Sequence, residues 1–232
     1  MKNVPNIITC LNLFAGCLSC VMTLEYGNYT GAFLFILLAA VFDFLDGFAA
    51  RLLKAYSAIG AQLDSLADMV SFGLAPGFVV YSFLTTSTSG MEFGSSLPYL
   101  AFLIPIFSAL RLAKFNIDTR QTSSFLGLPV PANALFWVAL VPSISLAEGN
   151  KAFYTVLFVF LIIVFCLLMV SELPMFSLKF KNYGWANNRL PYTLILSAIV
   201  FVVCFRLPGI SLTIVLYVLL SSAVYISKRK NE

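Results

Sequence analysis

The stretch DFLDGFAARLLKAYSAIGAQLDSLAD, residues 43–68, places four aspartates, Asp43, Asp46, Asp64 and Asp68, inside segments apolar enough to span a membrane. A carboxylate in hydrocarbon costs several kcal/mol unless it is paired, metal-bound or turned toward water. Asp43 and Asp46 are spaced i, i+3 and Asp64 and Asp68 i, i+4, so each pair occupies one face of its own helix. The short turn at Lys54-Ala55-Tyr56 forces the two helices antiparallel. Counted outward from it, Asp43 falls level with Asp68 and Asp46 with Asp64, about ten residues or ~15 Å of helix away. Four carboxylates at two matched depths do not all stay ionised without cations, and the nearby Arg51 and Lys54 are too few to balance four acids. The chain contains no histidine. Oxygen-only ligation then suits Mg²⁺ or Mn²⁺, in one or two ions, with Ca²⁺ also able to occupy the site.

Between the two acidic pairs lie Gly47, Ala50, Arg51 and Gly60. Gly47 and Ala50 are i, i+3 on the first aspartate helix, where small side chains admit either a bulky ligand or a neighbouring helix against the backbone.

The elements that must carry these residues are membrane helices. Of 232 residues, 60% are hydrophobic and 10% charged, against about a quarter charged in a soluble domain. Mean hydropathy is +0.95. A span needs about 20 residues, and eight segments qualify: roughly 6–24, 29–53, 57–85, 97–117, 129–147, 152–171, 190–206 and 208–227. The expected fold is an all-α polytopic bundle of about eight transmembrane helices forming a single membrane domain over residues 1–232. The last two segments are separated only by Leu207-Pro208-Gly209, a turn signal. With both termini cytoplasmic, twelve Lys and Arg residues face the cytoplasm, and only Lys151 and Arg206 face the other side. That bias obeys the positive-inside rule, whereas seven spans would put Lys228, Arg229 and Lys230 outside. The expected location is therefore the cell (inner) membrane, multi-pass, with the aspartates toward the cytoplasm.

Other features carry less. The +4 net charge is dispersed over short loops and implies no nucleic-acid partner. Cys17 and Cys20 form a C-x-x-C, but thiols in apolar runs are inert small residues. Lys2 followed by an apolar run imitates a signal peptide; Pro5, Asn6, Thr9 and Asn12 interrupt it, and a retained first helix is expected. Internal repeats are not evident.

The full pattern, Asp43-x-x-Asp46-Gly47-x-x-Ala50-Arg51, eight residues, Gly60-x-x-x-Asp64-x-x-x-Asp68, resembles the signature of the CDP-alcohol phosphatidyltransferases at every fixed position. Further blocks resemble the bacterial and archaeal phosphatidylserine synthase branch of that family: PNIITCLNLFAG, SLADMVSFGLAPG, ALRLAKFN, FLGLPVPA and VSELPMFSLK. They sample most of the chain up to residue 179, and the last two apolar segments add nothing to the likeness.

The resemblance implies transfer of the phosphatidyl group of CDP-diacylglycerol to the hydroxyl of L-serine, with release of CMP, in a membrane-embedded homodimer. By the same analogy Asp43, Asp46 and Asp64 hold the metals, and Asp68 contributes to the site and acts as general base. The CDP moiety is then bound by Asp46, Gly47, Ala50, Arg51 and Gly60, with Asn6 and Thr9 as candidates from the first helix. Serine brings a carboxylate, for which Arg111, Lys114 and Arg120 are the candidate cations; as anchors or diphosphate partners they have alternative roles. Glycerol phosphate, inositol phosphate, ethanolamine or choline would be served by the same motif. A divalent-cation transporter would also place acids in the membrane, but its acids are expected in two answering clusters, and here one hairpin holds them all.

Overall fold

The computed structural model describes residues 3–91, 95–118, 125–146, 150–176 and 188–229. The protein is a polytopic helical bundle. Among the described residues, six helices are long and apolar enough to cross a membrane: Val4–Leu24 (α1), Tyr29–Leu52 (α2), the composite Ala58–Ser87, Leu97–Ile117, Lys151–Val170 (α7) and the helix beginning at Leu207. Two of the expected spans are shorter apolar helices, Val130–Ser143 and Arg189–Phe205 (α8).

Local chemistry sets the boundaries around the acids. Pro5 sits in the first turn of α1, where its missing N–H is not needed. Asn28 caps α2 by accepting from Gly31 N–H at 2.8 Å. At the other end of α2, Ala55 N–H bonds Ala50 C=O at 3.0 Å and Lys54 N–H bonds Arg51 C=O at 3.3 Å. This is the paired pattern of a Schellman turn, with Lys54 at φ 49° in the left-handed position usually held by glycine. Ser57 then caps α3 (Ala58–Asp68), accepting from Gly60 N–H at 3.0 Å. The reversal falls at Lys54-Ala55-Tyr56, so α2 and α3 run antiparallel.

The composite span is not uniform. α3 ends at Asp68, Met69–Leu74 is π-helical, and α4 (Ala75–Ser87) completes it. Pro76 stands in the first turn of α4. In a regular α-helix its ring would strike the Phe72 carbonyl; the wider turn, with Ala75 N–H reaching back to Val70 C=O, relieves that clash. Leu97–Ile117 likewise opens with a 3₁₀ stretch before α5 (Leu103–Ile117).

The core surrounds α6 (Val130–Leu140), whose Trp137, Phe136, Val138 and Ala139 are all buried. Phe136 stacks on Phe165 of α7 with centroids 4.0 Å apart, and Phe83 of α4 stacks on Phe158 of α7 at 4.3 Å. A helix buried all round needs no lipid-matching length, which is why α6 stops short.

The strands among the described residues are a two-residue antiparallel pair, β1 (Phe125–Leu126) with β2 (Pro174–Met175). Gly127 follows at φ 73°, and a Cβ there would collide with the Met169 and Ser171 carbonyls. This close approach lets Leu128 N–H cap the end of α7 by bonding Leu168 C=O at 3.0 Å, while Gly127 N–H bonds Leu173 C=O, beyond the helix, at 2.9 Å.

The final hairpin joins α8 to α9 (Leu207–Arg229). The chain reverses at Arg206, φ 59°, one residue earlier than the Leu207-Pro208-Gly209 turn expected from sequence. Those three residues form the first turn of α9 instead, a position that suits proline. Ser211 ties α9 to α6 by donating to Phe136 C=O at 2.8 Å.

Candidate active site

α2 and α3 bring their acids together as their spacing demands. One carboxylate oxygen from each of Asp43, Asp64 and Asp68 lies within 4.8 Å of the other two. Carboxylates that close repel one another strongly unless a cation lies among them. Among the described residues none of the four aspartates forms an ion pair with a lysine or arginine. An oxygen-only trio of this size fits a divalent cation.

Asp46 has a different environment. It is 6% exposed and accepts a hydrogen bond from Thr9 Oγ1 of α1 at 2.7 Å. One turn further along α1, Asn12 Nδ2 donates to Asp68 Oδ1 at 3.2 Å. Thr9 and Asn12 are i, i+3, so a single face of α1 reaches one acid on each of the two motif helices.

Beside the trio opens a cleft of about 210 Å³. α1 lines it with Pro5, Asn6 and Thr9, α2 with Asp46, Gly47 and Ala50, the turn with Ala55, Tyr56 and Ser57, and α3 with Gly60, Ala61 and Asp64. Asp64 therefore belongs to both the cleft wall and the carboxylate trio. Of the residues expected to bind the nucleotide, Asn6, Thr9, Asp46, Gly47, Ala50 and Gly60 share this cleft, while Arg51 is exposed and outside its lining. A Cβ on Gly47 would meet nothing within 4 Å, so among the described residues no helix packs there and the space is left to the cleft. At Gly60 a Cβ would come within 2.9 Å of Asn6 Oδ1, so the glycine lets α1 close against α3.

The candidate cations separate. Arg111 of α5 is 7% exposed, with its guanidinium 4.9 Å from the Phe115 ring centroid. It lies within electrostatic range of Asp68 and of Tyr217 from α9. Lys114 instead pairs with Glu172 at 3.8 Å and donates to Val170 C=O at 3.4 Å, which ties α5 to the end of α7. Arg120 lies outside the described residues.

Three residues at or near this site escaped the sequence reading. Asn12 had a usable signal, since Asn6, Thr9 and Asn12 recur every three residues on one side of a mostly apolar helix. Ser71, in the π-helical turn, donates to the Asn12 carbonyl at 2.9 Å. Tyr217 is 7% exposed and its hydroxyl donates to Phe176 C=O at 3.0 Å. Nothing local marks Tyr217, because only the folding of α9 onto the bundle brings it near Arg111.

The chain is similar to known proteins along most of its length. Residues 2–178 match the family described as CDP-alcohol phosphatidyltransferase. The chain is 34% identical over 203 residues to the CDP-diacylglycerol–serine O-phosphatidyltransferase of Helicobacter pylori, covering 85% of this chain and 81% of that protein. It is 38% identical over 144 residues to the protein of that name from Bacillus subtilis, covering 60% and 76%. A third, from Methanocaldococcus jannaschii, is 33% identical over 186 residues, covering 79% of each.

Proposed function

Because this chain belongs to the CDP-alcohol phosphatidyltransferase family, we propose that it moves the phosphatidyl group of CDP-diacylglycerol onto L-serine, giving phosphatidylserine and CMP. The observation that carries this reading is the shared position of Asp64, at once a wall of the cleft and a member of the trio with Asp43 and Asp68. A nucleotide diphosphate lying in the cleft brings its phosphates to those carboxylates. Serine as the acceptor is supported by the names of the relatives.

Asp43, Asp64 and Asp68 would hold the divalent cation, with Asp46 steadied beside them by Thr9. Mg²⁺ or Mn²⁺ bound there supplies charge neutralisation for the diphosphate and for the charge that develops during displacement. The side chains do the rest. Gly47 and Ala50 leave room for the cytidine against α2, with Asn6 and Gly60 forming the facing wall. Asp68 takes the proton of the serine hydroxyl as its oxygen bonds to the phosphorus carrying the diacylglycerol; the bond from that phosphorus to CMP breaks and CMP leaves. In a chain without histidine, a carboxylate is the natural base. Arg111, buried and in electrostatic range of Asp68, receives the serine carboxylate. The bias of basic residues supports a site on the cytoplasmic face.

The test is incubation of the purified protein with CDP-diacylglycerol, Mn²⁺ and labelled serine, glycerol phosphate, inositol phosphate, ethanolamine and choline in turn. Phosphatidylserine and CMP in equal amounts, with no product from the other acceptors, is the expected result. Product from another acceptor alone would replace serine in the reading, and no CMP from any acceptor would overturn it.

A further inference from the structure

Asn12 of α1 is completely buried, and its side chain is half satisfied. Nδ2 donates to Asp68 Oδ1 at 3.2 Å, while Oδ1 is buried without a hydrogen-bond partner among the described residues. The amide cannot be turned over to cure this, because Oδ1 would then face a carboxylate oxygen, acceptor against acceptor. Buried polar atoms in folded proteins nearly always find partners. An asparagine serving packing alone would be replaceable by an apolar residue at a gain, so the uncompensated oxygen marks a residue kept for its single bond to Asp68.

The surrounding backbone holds that bond in register. Asp68 closes the last regular turn before the π-helical Met69–Leu74, a kind of turn frequent at functional sites. Ser71, from that turn, donates back to the Asn12 carbonyl at 2.9 Å and is itself fully buried. One turn further along α1, Gly16 packs so closely on Ser71 that a Cβ would collide with its hydroxyl. Asn12 is thereby set against Asp68 at a fixed depth and angle.

We propose that Asn12 is a positioning residue for the transfer step, holding one oxygen of Asp68 so that the other faces the acceptor hydroxyl. This rests on the reading of Asp68 as the proton acceptor. Asn12 differs from Thr9 in this respect: Thr9 lines the cleft, and Asn12 does not.

The test is Asn12→Leu, which keeps the volume, removes the donor and abolishes the orphaned oxygen. The expected result is a kcat at least about tenfold lower, the scale of losing a hydrogen bond to a charged group. KM for serine and for CDP-diacylglycerol, and Mn²⁺ affinity read by the resonance of the bound ion, should stay within about threefold. The melting temperature should be unchanged or higher. In an Asp68→Asn background the same substitution should cost nothing further, because the two residues act as one unit. Should Asn12→Leu fail to fold, Asn12→Ser, which is smaller and too short to reach Asp68, is expected to show the same loss of kcat. Wild-type kcat in a folded Asn12 variant, with Asp68→Asn inactive, would overturn the positioning role alone. Wild-type turnover by Asp68→Asn would overturn the base assignment and the inference with it. A kcat that falls only in step with melting temperature or Mn²⁺ affinity would make Asn12 a structural or ligand-shell residue and overturn the proposal.

Discussion

At the scale of the residue, the site is a set of acids with few direct partners of opposite charge. Asp43→Asn and Asp64→Asn each remove a member of the trio, so each is expected to lower turnover at least ~10²-fold, on the scale of losing a residue central to charge stabilisation. Excess EDTA should stop product formation and added Mn²⁺ restore it; full turnover in EDTA would refute a divalent site. Arg111 and Lys114 should behave differently although they lie three residues apart. Arg111 is buried near Asp68, whereas Lys114 is engaged with Glu172 and Val170. Arg111→Ala is expected to raise the serine KM about 10- to 150-fold, the range for a hydrogen bond to a charged group, with CDP-diacylglycerol binding retained. Lys114→Ala should leave that KM near wild type, as steady-state rates over a serine series will show. The acids were legible in the sequence because a helical period and one turn suffice to place Asp43 level with Asp68. Asn12 was harder to see, since its role depends on α1 lying across both motif helices, a tertiary fact that no local spacing encodes.

At the scale of the element, the departures from sequence expectation have physical causes. Residues 57–85 read as one continuous span, but Pro76 converts the turn before it to π-helix. Hydropathy does not register that conversion. The end of α7 is similarly illegible, because its Leu168 carbonyl is capped by Leu128 N–H from a distant loop that Gly127 lets approach. Gly127→Ala meets two penalties, a left-handed φ of 73° and a collision with the α7 carbonyls. It is expected to destabilise the protein by at least about 2 kcal/mol. Denaturation followed by tryptophan emission would report this, since Trp137 lies buried beside α7; an unchanged midpoint would mean that the loop bears no load. By contrast, the α2–α3 hairpin followed directly from the short turn at Lys54-Ala55-Tyr56, while its capping by Ser57 is seen only in the structure.

At the scale of the whole molecule, the eight apolar segments read from the sequence all appear as helices, but α6 and α8 are shorter than the rest. Hydropathy cannot distinguish a segment enclosed by protein, such as α6, from one that faces lipid. If both short helices cross, Lys54 and Arg206 stand on opposite faces of the membrane, in keeping with the charge bias. Lys54→Cys should then react with an impermeant thiol reagent only from the cytoplasmic side, and Arg206→Cys only from the other. Labelling of both from one side would require an even number of crossings between them. α8 has a further consequence for the membrane itself. It is 17 residues long, about 25 Å, and among its residues only Leu194 is buried, so if it crosses, this chain leaves its sides open to the acyl chains. A hydrocarbon layer of about 30 Å must pinch inward beside it, and each ångström of hydrophobic mismatch costs a fraction of a kcal/mol. The protein should therefore be most heat-resistant in vesicles of shorter-chain lipid, so that bilayer thickness acts on an enzyme of bilayer synthesis.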